Sequence, residues 1–163
     1  DCLLSRGLGD VYKRQVFTQL VQKHGFEAKN LHLEITETAV MSDTKKVIRL
    51  VNKLRQYGFK VEMDDFGSGY SSLNMLKDIK MDTIKLDMGF LRKTRNNERS
   101  MSIVSNVIHL SKRLGMEVVT EGVETREQVD ALTMMGCDVF QGYYFAKPMS
   151  VWDYEDKYIS TEG

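Results

Sequence analysis

FKVEMDDFGSGYSSLNMLKDI, from Phe59 to Ile79, decides the fold. Phe59, Val61 and Met63 alternate with polar residues at the two-residue period of a β-strand. That strand runs straight into Asp64–Asp65. The loop that follows carries Gly67 and Gly69, which open backbone conformations closed to residues with a Cβ. Ser71 to Ile79 then reads as a short helix, with Ser71 or Ser72 free to cap it. Composition alone fits a phosphate-cradling turn or an ordinary tight connection. The loop's place after the acidic pair adds a third reading, a mobile gate that completes a metal site.

The same unit recurs along the chain. Five short runs, Leu31–Ile35, Phe59–Asp64, Thr83–Asp87, Glu117–Glu121 and Asp138–Gln141, carry at or near their ends Glu34, Asp64–Asp65, Lys85, Glu121 and Gln141. Helical periodicity fills the gaps at Asp43–Tyr57, Asn97–Leu114 and Arg126–Met135, each followed by a glycine (Gly58, Gly115, Gly136). Ser150–Tyr158 reads as a closing helix. An earlier helix-like pattern (Val16, Phe17, Leu20, Val21) stops at Gly25. Alternating strands and helices imply an α/β protein with a parallel sheet and helices outside it. Polar groups at the C-terminal strand ends are how a TIM-type (β/α) barrel builds its active site. A complete eight-stranded barrel takes about 250 residues, so the expectation is an incomplete barrel comprising about its last five βα units. Its sheet should be curved, with helices on the convex side, two unpaired edges and an exposed apolar inner face.

Ser5–Gln15, SRGLGDVYKRQ, resembles the translation of an adapter used in sequencing libraries, so residues 1–15 are set aside as non-native. The genuine chain, residues 16–163, would then begin partway through a helix. Of 163 residues, 23 are basic and 23 acidic. Without the leader's Asp1, Arg6, Asp10, Lys13 and Arg14, the balance is 20 to 21. That near-neutrality gives no electrostatic reason to expect a nucleic-acid polymer or a membrane surface as partner. No apolar run approaches the ~20 residues that span a bilayer. Only Cys137 remains outside the leader, which supports no disulfide framework and fits a reducing, cytoplasmic setting.

The strand-end set is chemically coherent. Hard divalent cations prefer oxygen ligands, and Glu34, Asp64, Asp65 and Glu121 offer more carboxylates than one Mg²⁺ uses. Two ions about 4 Å apart would suit them, and such pairs activate water in phosphodiester cleavage. Lys85 adds a mobile positive charge for a phosphoryl oxygen or an attacking water, and Gln141 a neutral contact. Within a regular strand Asp64 and Asp65 would point to opposite faces; both reach one site only if the strand ends there.

LEITE (Leu33–Glu37), DDFGSGYSSL (Asp64–Leu73), KLD (Lys85–Asp87), EGVET (Glu121–Thr125) and QGYYFAKP (Gln141–Pro148) resemble, in order, the motifs of the EAL domain. That family comprises cyclic di-GMP phosphodiesterases of bacterial signalling, built on a modified TIM barrel. The resemblance implies that Glu34, Asp64, Asp65, Glu121 and Gln141 are metal ligands or water-binding positions. It implies Lys85 and Glu121 as catalytic residues and Mg²⁺ or Mn²⁺, two ions in a complete domain, as cofactor. Glu37, Gly67, Ser68, Gly69, Asp87 and Glu124 match positions that anchor the loop or support the ligands from behind. Cyclic di-GMP is the implied partner, and a homodimer through the domain is compatible with the family.

One departure stands against these matches. The EAL tripeptide, whose glutamate ligates metal, is absent, as are the asparagine expected before Glu34 and the arginine after the tripeptide. The expectation is a parent enzyme hydrolysing cyclic di-GMP to linear pGpG, with a membrane anchor, if any, upstream, and a fragment inactive by itself. The competing class is an inactive EAL-type module that binds cyclic di-GMP or a protein partner. An intact acidic set favours the enzyme.

Overall fold

The computed structural model describes residues 10–67, 72–87 and 97–159. Ser68 and Gly69 lie outside the described residues, as do most of the leader and the side chain of Tyr12. The first helix, α1 (Asp10–His24), begins earlier than the sequence pattern suggested and runs unbroken through Gln15. Phe17 meets Phe59 edge-on at 6.4 Å, and Val21 is buried, so this helix docks on the sheet.

β1 (His32–Thr36), β2 (Lys60–Phe66), β3 (Thr83–Asp87), β4 (Glu117–Glu121) and β5 (Val139–Gln141) form one five-stranded sheet. Strand order follows chain order, and every pairing is parallel. Between the strands come α2 (Glu37–Ser42), α3 (Thr44–Gln56), α4 (Ser72–Asp78), α5 (Asn97–Arg113) and α6 (Arg126–Met134). α2 carries no sequence signal long enough to have announced it. The closing segment is a single turn, α7 (Val151–Tyr154), continued by a π-helical turn over Glu155–Ile159, where one helix was expected.

Local chemistry fixes the helix ends. Asp43 accepts the amide of Lys46 at 3.0 Å and starts α3. Thr125 and Gln128 form a reciprocal capping box at the head of α6, which satisfies two amides that the first turn leaves unpaired. α3 turns Val47, Leu50, Val51 and Leu54 inward, the i, i+3, i+4, i+7 stripe of a core-facing helix.

Register divides the sheet into two unlike faces. Alternate residues along a strand face opposite ways, so Ile35, Val61, Met63, Ile84, Leu86 and Val118 share one side. All six are buried in the core with the apolar stripes of the helices. Each such side chain contributes roughly 1.5–3 kcal/mol through burial. The other side carries Glu34, Glu62, Asp64, Lys85, Glu117 and Glu121, in register across β1 to β4. Among the described residues the face opposite this core is therefore polar, which corrects the expectation that it would be apolar. Among the described residues the sheet does not close into a barrel, and β1 and β5 each have one unpaired edge.

Candidate active site at the strand ends

β2 does not stop at Asp64 as the alternation suggested; it continues to Phe66 through a bulge. Met63 pairs with Ile84 and Phe66 with Leu86, so Asp64 and Asp65 together stand opposite the single residue Lys85. Asp65 takes up the extra length in the left-handed region, with φ of 56°, the one residue besides glycine to do so among those described. Aspartate tolerates that conformation better than most residues with a Cβ. A two-against-one bulge re-aims side chains beside a functional site. Here it lets neighbouring carboxylates address one lysine without ending the strand.

Lys85 is the centre of the site. Its Nζ donates to Glu34 Oε1 at 2.6 Å and lies 2.8 Å from Glu121 Oε1 and 3.3 Å from Asp64 Oδ1. Its side chain is only 9% exposed, against 50% for Glu34. Burial by itself would push the ammonium toward deprotonation. The hydrogen bonds to Glu121 and Glu34, with the charges of Glu121 and Asp64, outweigh it and hold the lysine above its ordinary value. Asp65 moves the other way from a typical ion-paired acid. Burial and the nearby charges of Asp64 and Asp87 push its carboxyl up, and Lys85 offsets part of the rise.

The sequence-predicted residues are thus brought together to different degrees. Glu34, Asp64 and Glu121 share one cation, well inside the ~10 Å reach that would have separated them into unrelated groups. Asp65 and Asp87 join the same electrostatic cluster. Gln141 pairs in register with Glu121, and Asp87 with Glu121 from the other side. Glu37 is 1% exposed and opens α2 directly after β1. Glu124 stands at the approach to α6, its amide donating to Gln128 Oε1 at 2.8 Å. Gly67 continues the turn with φ of 98°.

Two glycines without an assigned role shape the far side. Gly122, immediately after Glu121, has φ of 72°. A Cβ on Gly142, immediately after Gln141, would lie 2.1 Å from the Val123 carbonyl oxygen and 2.4 Å from its nitrogen. The two loops are stitched at that crossing: the Val123 amide donates to the Gln141 carbonyl at 3.1 Å, and Tyr144 donates back to Val123 at 3.1 Å. The only sequence signal was a glycine following each polar strand end. A second unforeseen pair lies lower on the polar face, where His32 Nδ1 meets Glu62 Oε1 at 2.5 Å.

Among the described residues no three acidic, histidine or cysteine side chains are spaced to hold a metal ion by themselves. The donor chemistry nevertheless fits one: three carboxylates from β1, β2 and β4 already converge on a single positive charge, and hard divalent cations take such oxygens.

The sequence profile of the EAL domain matches residues 8–148. The chain belongs to the EAL domain family. The cyclic di-GMP phosphodiesterase RocR of Pseudomonas aeruginosa is 37% identical over 142 residues, covering 87% of this chain and 36% of RocR. The solved PaMucR phosphodiesterase in complex with c-di-GMP superposes with a TM-score of 0.82 at 32% identity, over 94% of this chain and 61% of that one. The manganese and cyclic di-GMP complex of Klebsiella pneumoniae BlrP1 gives a TM-score of 0.77 at 32% identity, over 89% and 36% of the two chains. The present chain spans 15% to 36% of the length of such curated relatives. Glu34, Asp64, Lys85 and Glu121, one from each of four of its EAL motifs, stand on the polar face. No helix among the described residues is long and apolar enough to cross a membrane.

Proposed function

We propose that this EAL chain is the later part of a phosphodiesterase that hydrolyses cyclic di-GMP to linear pGpG. The observation that carries the reading is the convergence of Glu34, Asp64 and Glu121, from three separate strands, on Lys85 at the polar face of the sheet. Glu34, Asp64, Asp65, Glu121 and Gln141 are the residues that would hold Mg²⁺ or Mn²⁺. When bound, such ions polarise a phosphoryl oxygen and lower the pKa of a water so that it can attack.

The protein's own groups do the rest. Lys85 neutralises charge on the scissile phosphate or orients the attacking water, because an ammonium donates three hydrogen bonds and accepts none. The bulge at Asp64–Asp65 fixes two carboxylates against one point of the sheet, which removes the entropy of assembling them during the reaction. The Gly122–Gly142 crossing holds the strand ends bearing Glu121 and Gln141 in a fixed relation. The intact acidic set favours catalysis over a purely nucleotide-binding module.

Residues 1–15 are proposed to be non-native and the remainder an incomplete domain, its first strands and EAL tripeptide lying upstream in the parent reading frame. The cytoplasmic setting and the homodimer are proposals of the same standing, drawn from the resemblance and from a chain whose one cysteine outside the leader is buried and unpaired. The test is chromatographic: cyclic di-GMP is incubated with the chain, and with the chain extended to its full reading frame, in Mg²⁺ or Mn²⁺. The extended protein should release pGpG and lose that activity with a chelator; the short chain should show little turnover. An extended protein that binds cyclic di-GMP without cleaving it would establish the nucleotide-binding module instead.

A further inference from the structure

We propose that Lys85 is the built-in counter-ion of this site, and that its ammonium and a divalent cation are alternative occupants of the cradle formed by Glu34, Asp64 and Glu121. The inference deepens the function proposed above and rests on its metal-binding part, not on its substrate. Nζ lies 2.6 to 3.3 Å from carboxylate oxygens of β1, β2 and β4, contacts that no single neighbouring strand could supply. The side chain is nearly enclosed, and a buried ammonium is costly without partners. Three carboxylates this close would repel one another without a cation among them. The lysine therefore keeps the acids gathered in the metal-free protein.

The arrangement sets a condition on metal entry. A dication among the same oxygens repels the ammonium, so Lys85 must give up at least part of its contact with Glu34, Asp64 or Glu121. Four rotatable bonds let the head swing while the stem stays packed. Once released, the head lies beside the same site with its charge no longer quenched. Loading with metal thus deploys the cation that meets the substrate phosphate, whereas in the metal-free site that ammonium stays engaged with the carboxylates of Glu34, Asp64 and Glu121. Lys85 acts as a positioning residue for the acids before it acts on substrate.

The exchange can be read without turnover. The full chain is treated briefly with an amine-acylating reagent, with and without saturating Mn²⁺, and acylation at each lysine is quantified by peptide mass spectrometry. Acylation at Lys85 should rise several-fold with Mn²⁺, while Lys29, paired with Glu27 on the exposed surface, stays constant. In parallel, Lys85→Met should bind Mn²⁺ about tenfold more tightly, since a competing like charge is gone, and should show a larger Mn²⁺-induced rise in melting temperature. Unchanged or reduced acylation of Lys85 at saturating Mn²⁺ overturns the proposal. So does Mn²⁺ affinity in Lys85→Met no higher than in the parent, or a complete lack of Mn²⁺ binding by both. Should Lys85→Met fail to fold, the acylation result on the unsubstituted chain decides. Metal exchange without any pGpG from the extended protein would sink the phosphodiesterase reading and leave this one standing.

Discussion

Asp82 and Val61 grip each other twice across neighbouring strands. The Asp82 amide donates to the Val61 carbonyl at 2.8 Å, and the Val61 amide donates to Asp82 Oδ2 at 2.9 Å. Arg55, in the last turn of α3, adds two bonds to the same carboxylate at 3.0 and 3.1 Å. The device recurs two βα units later. The Asp138 amide donates to the Val118 carbonyl at 3.2 Å, Val118 donates to Asp138 Oδ2 at 2.9 Å, and Lys112 from the last turn of α5 pairs with the other oxygen. In both units an aspartate at the foot of one strand ties the preceding strand to the helix that leads into that preceding strand. The strand ends that carry Glu34, Asp64, Lys85 and Glu121 are thus held from the opposite end of the sheet.

Replacing Asp82 with alanine should cost about 1–3 kcal/mol, because the buried Val61 amide and the Arg55 guanidinium lose a shared acceptor. Asp138→Ala should cost less, since Lys112 is more exposed than Arg55. Urea unfolding of the two variants checks the order; equal, negligible effects would show that the rings are incidental.

The same pair predicts an acid limit. Burial pushes both carboxyls up, but hydrogen bonds from Arg55 and Val61 to Asp82, and from Lys112 and Val118 to Asp138, bring both below the ordinary aspartate value. A depressed folded-state pKa means stability that is present above the unfolded value of about 3.9 and lost as pH falls through the lower, folded value. The melting temperature should therefore drop below about pH 4, with a shallower slope in Asp82→Asn than in the parent. A variant that follows the parent's curve throughout would remove Asp82 from the account.

Gly142→Ala should be destabilising by about 1–3 kcal/mol, the usual cost of forcing extra volume into a packed place. The atoms in the way belong to the Val123 backbone, which cannot swing aside as a side chain could. The strain falls between Glu121 and Gln141, so turnover in the complete domain should fall further than stability alone explains. Comparing melting temperature with pGpG formation separates the two effects.

Much of this was legible in the sequence because strands betray themselves by period and parallel strands share a direction. Every one of the five runs is a strand within two residues of its expected bounds, and Glu34, Asp64, Lys85 and Glu121 meet as their shared position required. What spacing could not show is anything set by pairing. Nothing local in MDDF distinguishes a strand that ends at Asp64 from one that bulges at Asp65, because the difference lies in Lys85 opposite. The polar face was misjudged for a similar reason: Glu34, Glu62, Asp64, Lys85 and Glu121 fall on one side only after the register is known. The aspartate rings join residues 20 and 21 apart, and their sequence trace is a bare Asp before a strand, a common residue in a common place.

Asp65 allows backbone and charge to be tested apart. Its φ of 56° is tolerable for Asp, Asn or Gly and costs roughly 1–2 kcal/mol for other residues. Asp65→Asn and Asp65→Gly should therefore keep near-parental stability, whereas Asp65→Val should lose it, since a β-branched side chain is especially ill-suited there. If all three destabilise equally, the acid's charge and not the bulge conformation is what the fold requires.

Substitutions at the cradle should then divide by what each acid holds. In the full-length protein Asp64→Asn and Glu121→Gln preserve size but remove charge, and each should abolish turnover, because a neutral amide replaces an anionic ligand in a set where even supporting changes cost ~10–100-fold. Neither change enlarges a cavity, so the structural cost comes only from Lys85. That lysine is 2.8 Å from Glu121 but 3.3 Å from Asp64, and its hydrogen bond to Glu121 is the strongest influence raising its pKa. Glu121→Gln should accordingly lower the metal-free melting temperature more than Asp64→Asn does, while saturating Mn²⁺ rescues neither variant's pGpG formation. Equal melting temperatures would mean that Lys85 redistributes freely among its remaining acids. Retained turnover in either variant would mean that the acid in question holds the lysine alone and takes no part in binding metal.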